Sequence, residues 1–149
     1  MPSTAPNDPA IFTLPMMRTI LRYALAIFYL AAGIIHIVAP SPFLTIMPAW
    51  VPDPDAVVFW TGVAEVLGAI GLVQWFSPKL RRAAAIGLAL YAVCVFPANI
   101  NHFIIDMIKP DGGLGLGYHV PRMFAQPLVI WAALWVGSVT DWPFRKKSG

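Results

Sequence analysis

The sequence has few charged residues. They make up 11% of the 149 residues, whereas about a quarter is usual in soluble proteins. Hydrophobic residues make up 58%, and the mean hydropathy is +0.70. So little charge cannot cover the surface of a soluble globule, which excludes an ordinary soluble enzyme, a disordered chain and a nucleic-acid-binding protein, despite the net charge of +3.

Cysteine is nearly absent as well. The single cysteine, Cys94, excludes an intramolecular disulfide framework and a CxxC redox or zinc motif. We interpret Cys94 as a small core residue. The length of the chain predicts one domain.

The sequence contains long apolar stretches with almost no charge. A hydrocarbon core of about 30 Å needs around 20 apolar helical residues, and four stretches meet this requirement. They predict an all-α fold, an integral membrane four-helix bundle with 18–141 as its single domain. The predicted spans are 19–39, 56–76, 82–107 and 122–140.

The placement of Lys and Arg predicts the direction of these spans. Eight of the ten basic residues precede the first span, separate the second from the third, or follow the fourth. By the positive-inside rule both termini are cytoplasmic. Residues 1–17 are expected to form a disordered or interfacial tail, and 142–149 a basic cytoplasmic tail.

Polar residues inside the spans are the candidates for function, because an ionisable side chain in hydrocarbon costs several kcal/mol unless it faces protein, water or a partner. At about 100° per residue, Asn99, His102 and Asp106 share one helix face, and Arg122 and Gln126 share another. We expect these faces to surround one polar pocket open to the outer surface. Its candidate ligand-binding residues are His36, Glu65, Asn99, His102, Arg122 and Gln126.

Each candidate also has a purely structural interpretation. Glu65 can pair with Arg122 or a histidine to hold helices together, or it can have a ligand- or proton-linked role. Two histidines can hold a haem iron, but nothing else marks a porphyrin site, and haem is not expected. His36 and His102 with Glu65 lack the spacing of a metal motif, so no metal site is predicted.

Three further features bear on the pocket. The apolar loop Pro40–Pro54 is predicted to fold over it as a lid, and Pro97 is predicted to kink the third span where the polar residues begin. The glycine-rich stretch 112–117 is interpreted as a flexible loop, since no strand precedes it. On the fourth span, Trp131 and Trp135 are predicted to face lipid.

Several segments together resemble the DoxX-like family of small four-helix bacterial membrane proteins. The matching segments are Gly33-Ile34-Ile35-His36, Thr61-Gly62-Val63-Ala64-Glu65, Arg81-Arg82-Ala83-Ala84, Val95-Phe96-Pro97-Ala98-Asn99, and Arg122 with Gln126. The resemblance implies a multi-pass protein of the bacterial cytoplasmic (inner) membrane. Relatives in that family include a subunit of a thiosulfate:quinone oxidoreductase and components associated with oxidative-stress responses.

Three functions follow from the pocket and the resemblance together. The first is a redox-associated protein that binds a quinone or another small lipophilic molecule, with a redox enzyme subunit or a second copy of the chain as partner. The second is a small transporter or binding module, and the third is a non-enzymatic assembly subunit. The lipid bilayer is the expected surrounding in each case, and no nucleic acid is expected.

Overall fold

A computed structural model describes residues 13–144, and these residues form five α-helices. Four are long, and one is a single short turn; no strand occurs in this part of the chain. The helices are α1 (Leu14–Val38), α2 (Ser41–Leu44), α3 (Pro54–Val73), α4 (Pro78–Ile108) and α5 (Leu116–Val136).

Local sequence explains where these helices begin. Asp53 and Ser77 cap α3 and α4, accepting from the backbone N–H of Ala56 at 3.3 Å and of Leu80 at 3.2 Å, and a proline follows each cap. The helix α5 follows Gly115, whose φ of 72° favours glycine.

The observed helix ends differ from the predicted spans. The helix α1 begins at Leu14, so it includes part of the predicted tail 1–17; residues 1–12 and the basic residues 145–147 lie outside the described residues. The helix α5 begins six residues before Arg122 and continues through Pro121 and Pro127. Charge-free stretches indicate which segments are long enough to cross a membrane, but they do not indicate the residues at which the helices begin and end.

Three of the described helices are long and apolar enough to cross a membrane, namely α1, α3 and α4. The helix α5 has a similar length, but His119, Arg122 and Gln126 make its first half polar, and it does not reach that hydropathy. The described part of the chain thus has the composition of a membrane protein, with one long helix set apart by its polar residues.

Small residues bring the long helices close together. A Cβ added to Gly33 would lie 2.7 Å from the carbonyl oxygen of Gly62, and one added to Gly62 would lie 2.8 Å from that of Gly33. The helices α1 and α3 therefore touch backbone to backbone at this crossing, as small residues allow in membrane helices.

An apolar core and an ion pair also hold the helices together. Arg18 on α1 forms an ion pair of 2.6 Å with Asp141, and its guanidinium lies over the ring of Trp135. Trp135 is 2% exposed, so the prediction that it faces lipid was wrong; the chain after α5 turns back over this face, where Phe144 contacts its ring. The buried core contains Leu25, Ala26, Tyr29, Ala69, Leu72, Ala85, Leu88, Ala89, Ala132, Ala133, Trp135 and Val136.

The glycine crossing gives a test of the fold. We expect Gly62→Ala to lower the stability of the protein in mild detergent by about 1–3 kcal/mol, because the new methyl group overlaps Gly33 and His36. Gly87→Ala is the matched control, since a Cβ there meets nothing within 4 Å. Thermal unfolding followed by circular dichroism measures both variants, and equal melting temperatures would contradict the crossing.

Candidate functional site

A cavity of about 470 Å³ lies between the four long helices. Its walls are mostly apolar, and every long helix contributes at least one polar side chain to them. The polar lining residues are Tyr29, His36, Thr61, Glu65, Tyr91, Asn99, Arg122 and Gln126. This size and mixture are typical of small-molecule sites, which are largely apolar with a few polar groups that orient the ligand.

The wall formed by α1 and α3 carries a buried carboxyl group. Glu65 is 2% exposed, and its Oε2 lies 2.7 Å from Nδ1 of His36. Each residue follows a glycine of the crossing by three positions, Gly33 before His36 and Gly62 before Glu65. Residues three apart share a helix face, so the close approach of the two glycines brings the acid and the imidazole together.

Some polar atoms on this wall have no hydrogen-bond partner among the described residues. Nδ1 of His36 lies 2.9 Å from the carbonyl oxygen of Ala32 and 2.7 Å from Oε2 of Glu65, so two acceptors compete for a proton on this nitrogen. The hydroxyl group of Tyr29 is buried and has no hydrogen-bond partner among the described residues, and buried Oε2 of Glu65 has only its contact with the imidazole of His36. Buried polar groups normally find a partner, so these atoms are candidates to bind a ligand or a water molecule.

The wall formed by α4 and α5 carries amide and guanidinium groups instead. Arg122 donates from Nη2 to Oδ1 of Asn99, and Asn99 donates from Nδ2 to Oε1 of Gln126 at 3.0 Å. Gln126 in turn donates to the carbonyl oxygen of Ala92 on α4. These bonds join the two helices next to Pro97, which removes a backbone N–H from α4.

The loop between α1 and α3 covers one side of the cavity. Phe43 on α2 stacks on the ring of His36 with 3.7 Å between centroids, and Ile46, Met47 and Trp50 also line the cavity. Asn101 donates from Nδ2 to the carbonyl oxygen of Ile46 at 2.9 Å. Asn101, which lies off the helix face shared by Asn99 and His102, therefore attaches the covering loop to α4.

The structure brings five of the six predicted site residues to the cavity wall. His36, Glu65, Asn99, Arg122 and Gln126 line it, whereas His102 does not. His102 lies behind Arg122, whose Nη1 donates to its Nδ1 at 2.8 Å. Cys94 is exposed and lines the cavity, so its assignment to the core was wrong; it is a residue that the prediction did not include in the site.

A second polar cluster lies beside the cavity, formed by His102, Asp106 and His119. Asp106 is 1% exposed and His119 is fully buried. Nε2 of His119 and Nε2 of His102 lie 3.0 Å and 3.4 Å from Oδ2 of Asp106. The sequence prediction missed His119, because the charge-free stretch began after it; its spacing of three from Arg122 is the pattern that places it on the same helix face.

The glycine-rich loop and Lys109 complete the surroundings of Asp106. The backbone N–H of Leu114 donates to Oδ2 at 3.1 Å, and a Cβ at Gly113 would overlap the carboxylate. Lys109 donates from Nζ to Oδ1 at 2.6 Å, and this bond raises the pKa of Lys109 above its ordinary value. The loop that was interpreted as flexible thus packs on a buried carboxylate.

The chain belongs to the family described as the domain of unknown function DUF8561, whose sequence model matches residues 25–137. The match includes both walls of the cavity and the second cluster. No curated protein matches the chain, and no solved structure does. The DoxX-like resemblance is not part of this match and stays a prediction.

The bond between Asn101 and the covering loop gives a test of how this loop is held over the cavity. We expect Asn101→Ala to speed amide hydrogen exchange in residues 43–51, because the loop loses its side-chain bond to α4, worth about 1 kcal/mol. Thr45→Val is the control: it removes only a bond within the loop, from Thr45 to the carbonyl oxygen of Pro42. Equal exchange in Asn101→Ala and in the unchanged protein would show that this bond does not hold the loop.

Proposed function

We propose that the protein binds a small lipophilic molecule with hydrogen-bonding oxygens, of the quinone type, in the cavity between its four long helices. The observation that supports this most is an apolar cavity whose wall carries the buried carboxyl group of Glu65 and the buried hydroxyl group of Tyr29, which has no partner among the described residues. An apolar body fits the walls, and polar oxygens fit the side chains that project from them.

Two opposed sets of polar groups support a ligand with an oxygen at each end. Arg122 and Gln126 on one wall are hydrogen-bond donors, as a carbonyl oxygen requires. Glu65 and His36 on the other wall can accept or supply a proton, as reduction and oxidation of a quinone require. The DoxX-like resemblance, with its thiosulfate:quinone oxidoreductase relative, supports a redox-associated role in the same direction.

We further propose that α1, α3, α4 and α5 all cross the bacterial inner membrane, with both termini in the cytoplasm. In support, Arg18 contacts Ser138 and Asp141, and Arg81 donates to the carbonyl oxygen of Gln74, so basic residues gather at one end of the bundle. The polar residues of α5 face α4 rather than lipid, which makes its crossing compatible with its lower hydropathy.

A second function, a subunit that assembles with another membrane protein, has its own supporting observation. Arg122, Asn99 and Gln126 bond to one another and to the backbone, so this wall is satisfied without a ligand. Under this alternative the polar groups only hold α4 against α5. The test must therefore measure occupancy of the cavity and stability separately.

Cys94 provides the test, because it is the only cysteine and it lines the cavity. We expect decylubiquinone, a fully substituted quinone that does not arylate thiols, to slow alkylation of Cys94 by a maleimide in the detergent-solubilised protein. Intact-protein mass spectrometry counts the single adduct. Alkylation at the same rate with and without the quinone would contradict the proposal.

Substitutions on each wall test whether the quinone protects Cys94 by binding to the polar groups of the cavity. We expect Glu65→Gln and Arg122→Gln each to raise the quinone concentration needed for protection by about tenfold, because a hydrogen bond to a charged group is worth roughly 1.5–3 kcal/mol. Leu128→Ala, at a residue exposed on α5, is the control and should protect normally. Melting temperatures measured in parallel separate the alternatives: lowered stability with unchanged protection favours the assembly subunit.

A further inference from the structure

The cluster of His102, Asp106 and His119 brings two imidazole nitrogens close to one carboxylate oxygen. Oδ2 of Asp106 bonds to Nε2 of His119 at 3.0 Å and to the backbone N–H of Leu114 at 3.1 Å, and Nε2 of His102 lies 3.4 Å away without a hydrogen bond. A carboxylate oxygen has two lone pairs. Moreover, Nδ1 of His119 is buried and has no partner among the described residues.

The distances from Oδ2 to the two histidine nitrogens match those between neighbouring ligands of a tetrahedral metal ion. Zinc binds histidine nitrogen and carboxylate oxygen at about 2.0–2.2 Å, which places neighbouring ligand atoms about 3.3 Å apart. The two histidine nitrogens lie 3.0 Å and 3.4 Å from Oδ2, and all three ligand atoms lie within 4.8 Å of one another. An ion between them would replace the contacts that the two imidazoles make with this oxygen.

We propose that His102, Asp106 and His119 bind a divalent transition-metal ion, with zinc as the best match to two imidazoles and one carboxylate. This site is separate from the cavity and uses none of the groups proposed to bind the quinone-type ligand, although Arg122 touches both. Of the chain's three histidines, the site takes the two that the cavity lining does not include.

The neighbouring groups hold the ligands in place and also limit the affinity. Lys109 bonds to Oδ1 of Asp106, and the N–H of Leu114 bonds to Oδ2, so the carboxylate is oriented before an ion arrives. The charges of Lys109 and Arg122 oppose a cation. We therefore expect weaker binding than at a structural zinc site, whose surroundings do not oppose the ion.

Metal binding requires a proton to move on His102. Arg122 donates to Nδ1 of His102, so in the neutral ring the proton is on Nε2, the nitrogen that faces Asp106. A metal ion needs the lone pair of Nε2, which moves the proton to Nδ1 and breaks the bond from Arg122. Removing this guanidinium should therefore favour the ion.

Zinc titration of the untagged, detergent-solubilised chain tests the site. Isothermal calorimetry should show one zinc ion per chain and no Mg²⁺ binding, and zinc should raise the melting temperature. We expect His119→Gln and His102→Gln each to weaken zinc binding by at least about tenfold. His36→Gln, the matched control at the third histidine, should bind normally.

The outcomes separate the site from surface binding. No zinc binding by the unchanged protein, or equal weakening in all three histidine variants, overturns the proposal. Arg122→Gln should bind zinc more tightly, and weaker binding in this variant would contradict the proton shift on His102. Should one histidine variant fail to fold, the other still tests the site, because they lie on different helices.

Discussion

The approach of Gly33 to Gly62 is the contact on which the described site most depends. Only residues without a side chain let the backbones of α1 and α3 come so close. One turn further along each helix, this contact brings the imidazole of His36 against the carboxyl group of Glu65. A larger distance between the helices would leave an ionisable group facing hydrocarbon, which is costly.

Between α4 and α5, hydrogen bonds among uncharged side chains and one arginine join the helices. On α4 and α5, polar side chains satisfy one another in sequence, from Arg122 to Asn99, to Gln126 and to a backbone oxygen. Few alternative partners exist in an apolar surrounding, so such a network holds the two helices in one register. The cavity therefore has one wall whose polar groups bond to one another, and a second wall on which the hydroxyl group of Tyr29 has no partner among the described residues.

The sequence predicted the helical class from the length of its apolar stretches, and five of the six polar residues chosen inside those stretches line the cavity. Helical phase placed Asn99 on the face that meets Arg122. Glu65 was identified because it is an ionisable residue inside an apolar stretch. Helical phase could not place His119, since the start of α5 depends on a glycine with positive φ and on prolines that the helix tolerates. It also misplaced Trp135, whose burial depends on Arg18 and on the chain after α5.

Arg122 has one guanidinium group and serves two neighbourhoods, Asn99 at the cavity and His102 in the second cluster. A movement of this group toward the cavity lengthens its bond to His102. A change at His102 in turn alters the position of the guanidinium group in the cavity wall. Thermodynamic linkage makes such an influence reciprocal: each event changes the free energy of the other by the same amount. Both contacts therefore depend on the position of one guanidinium group.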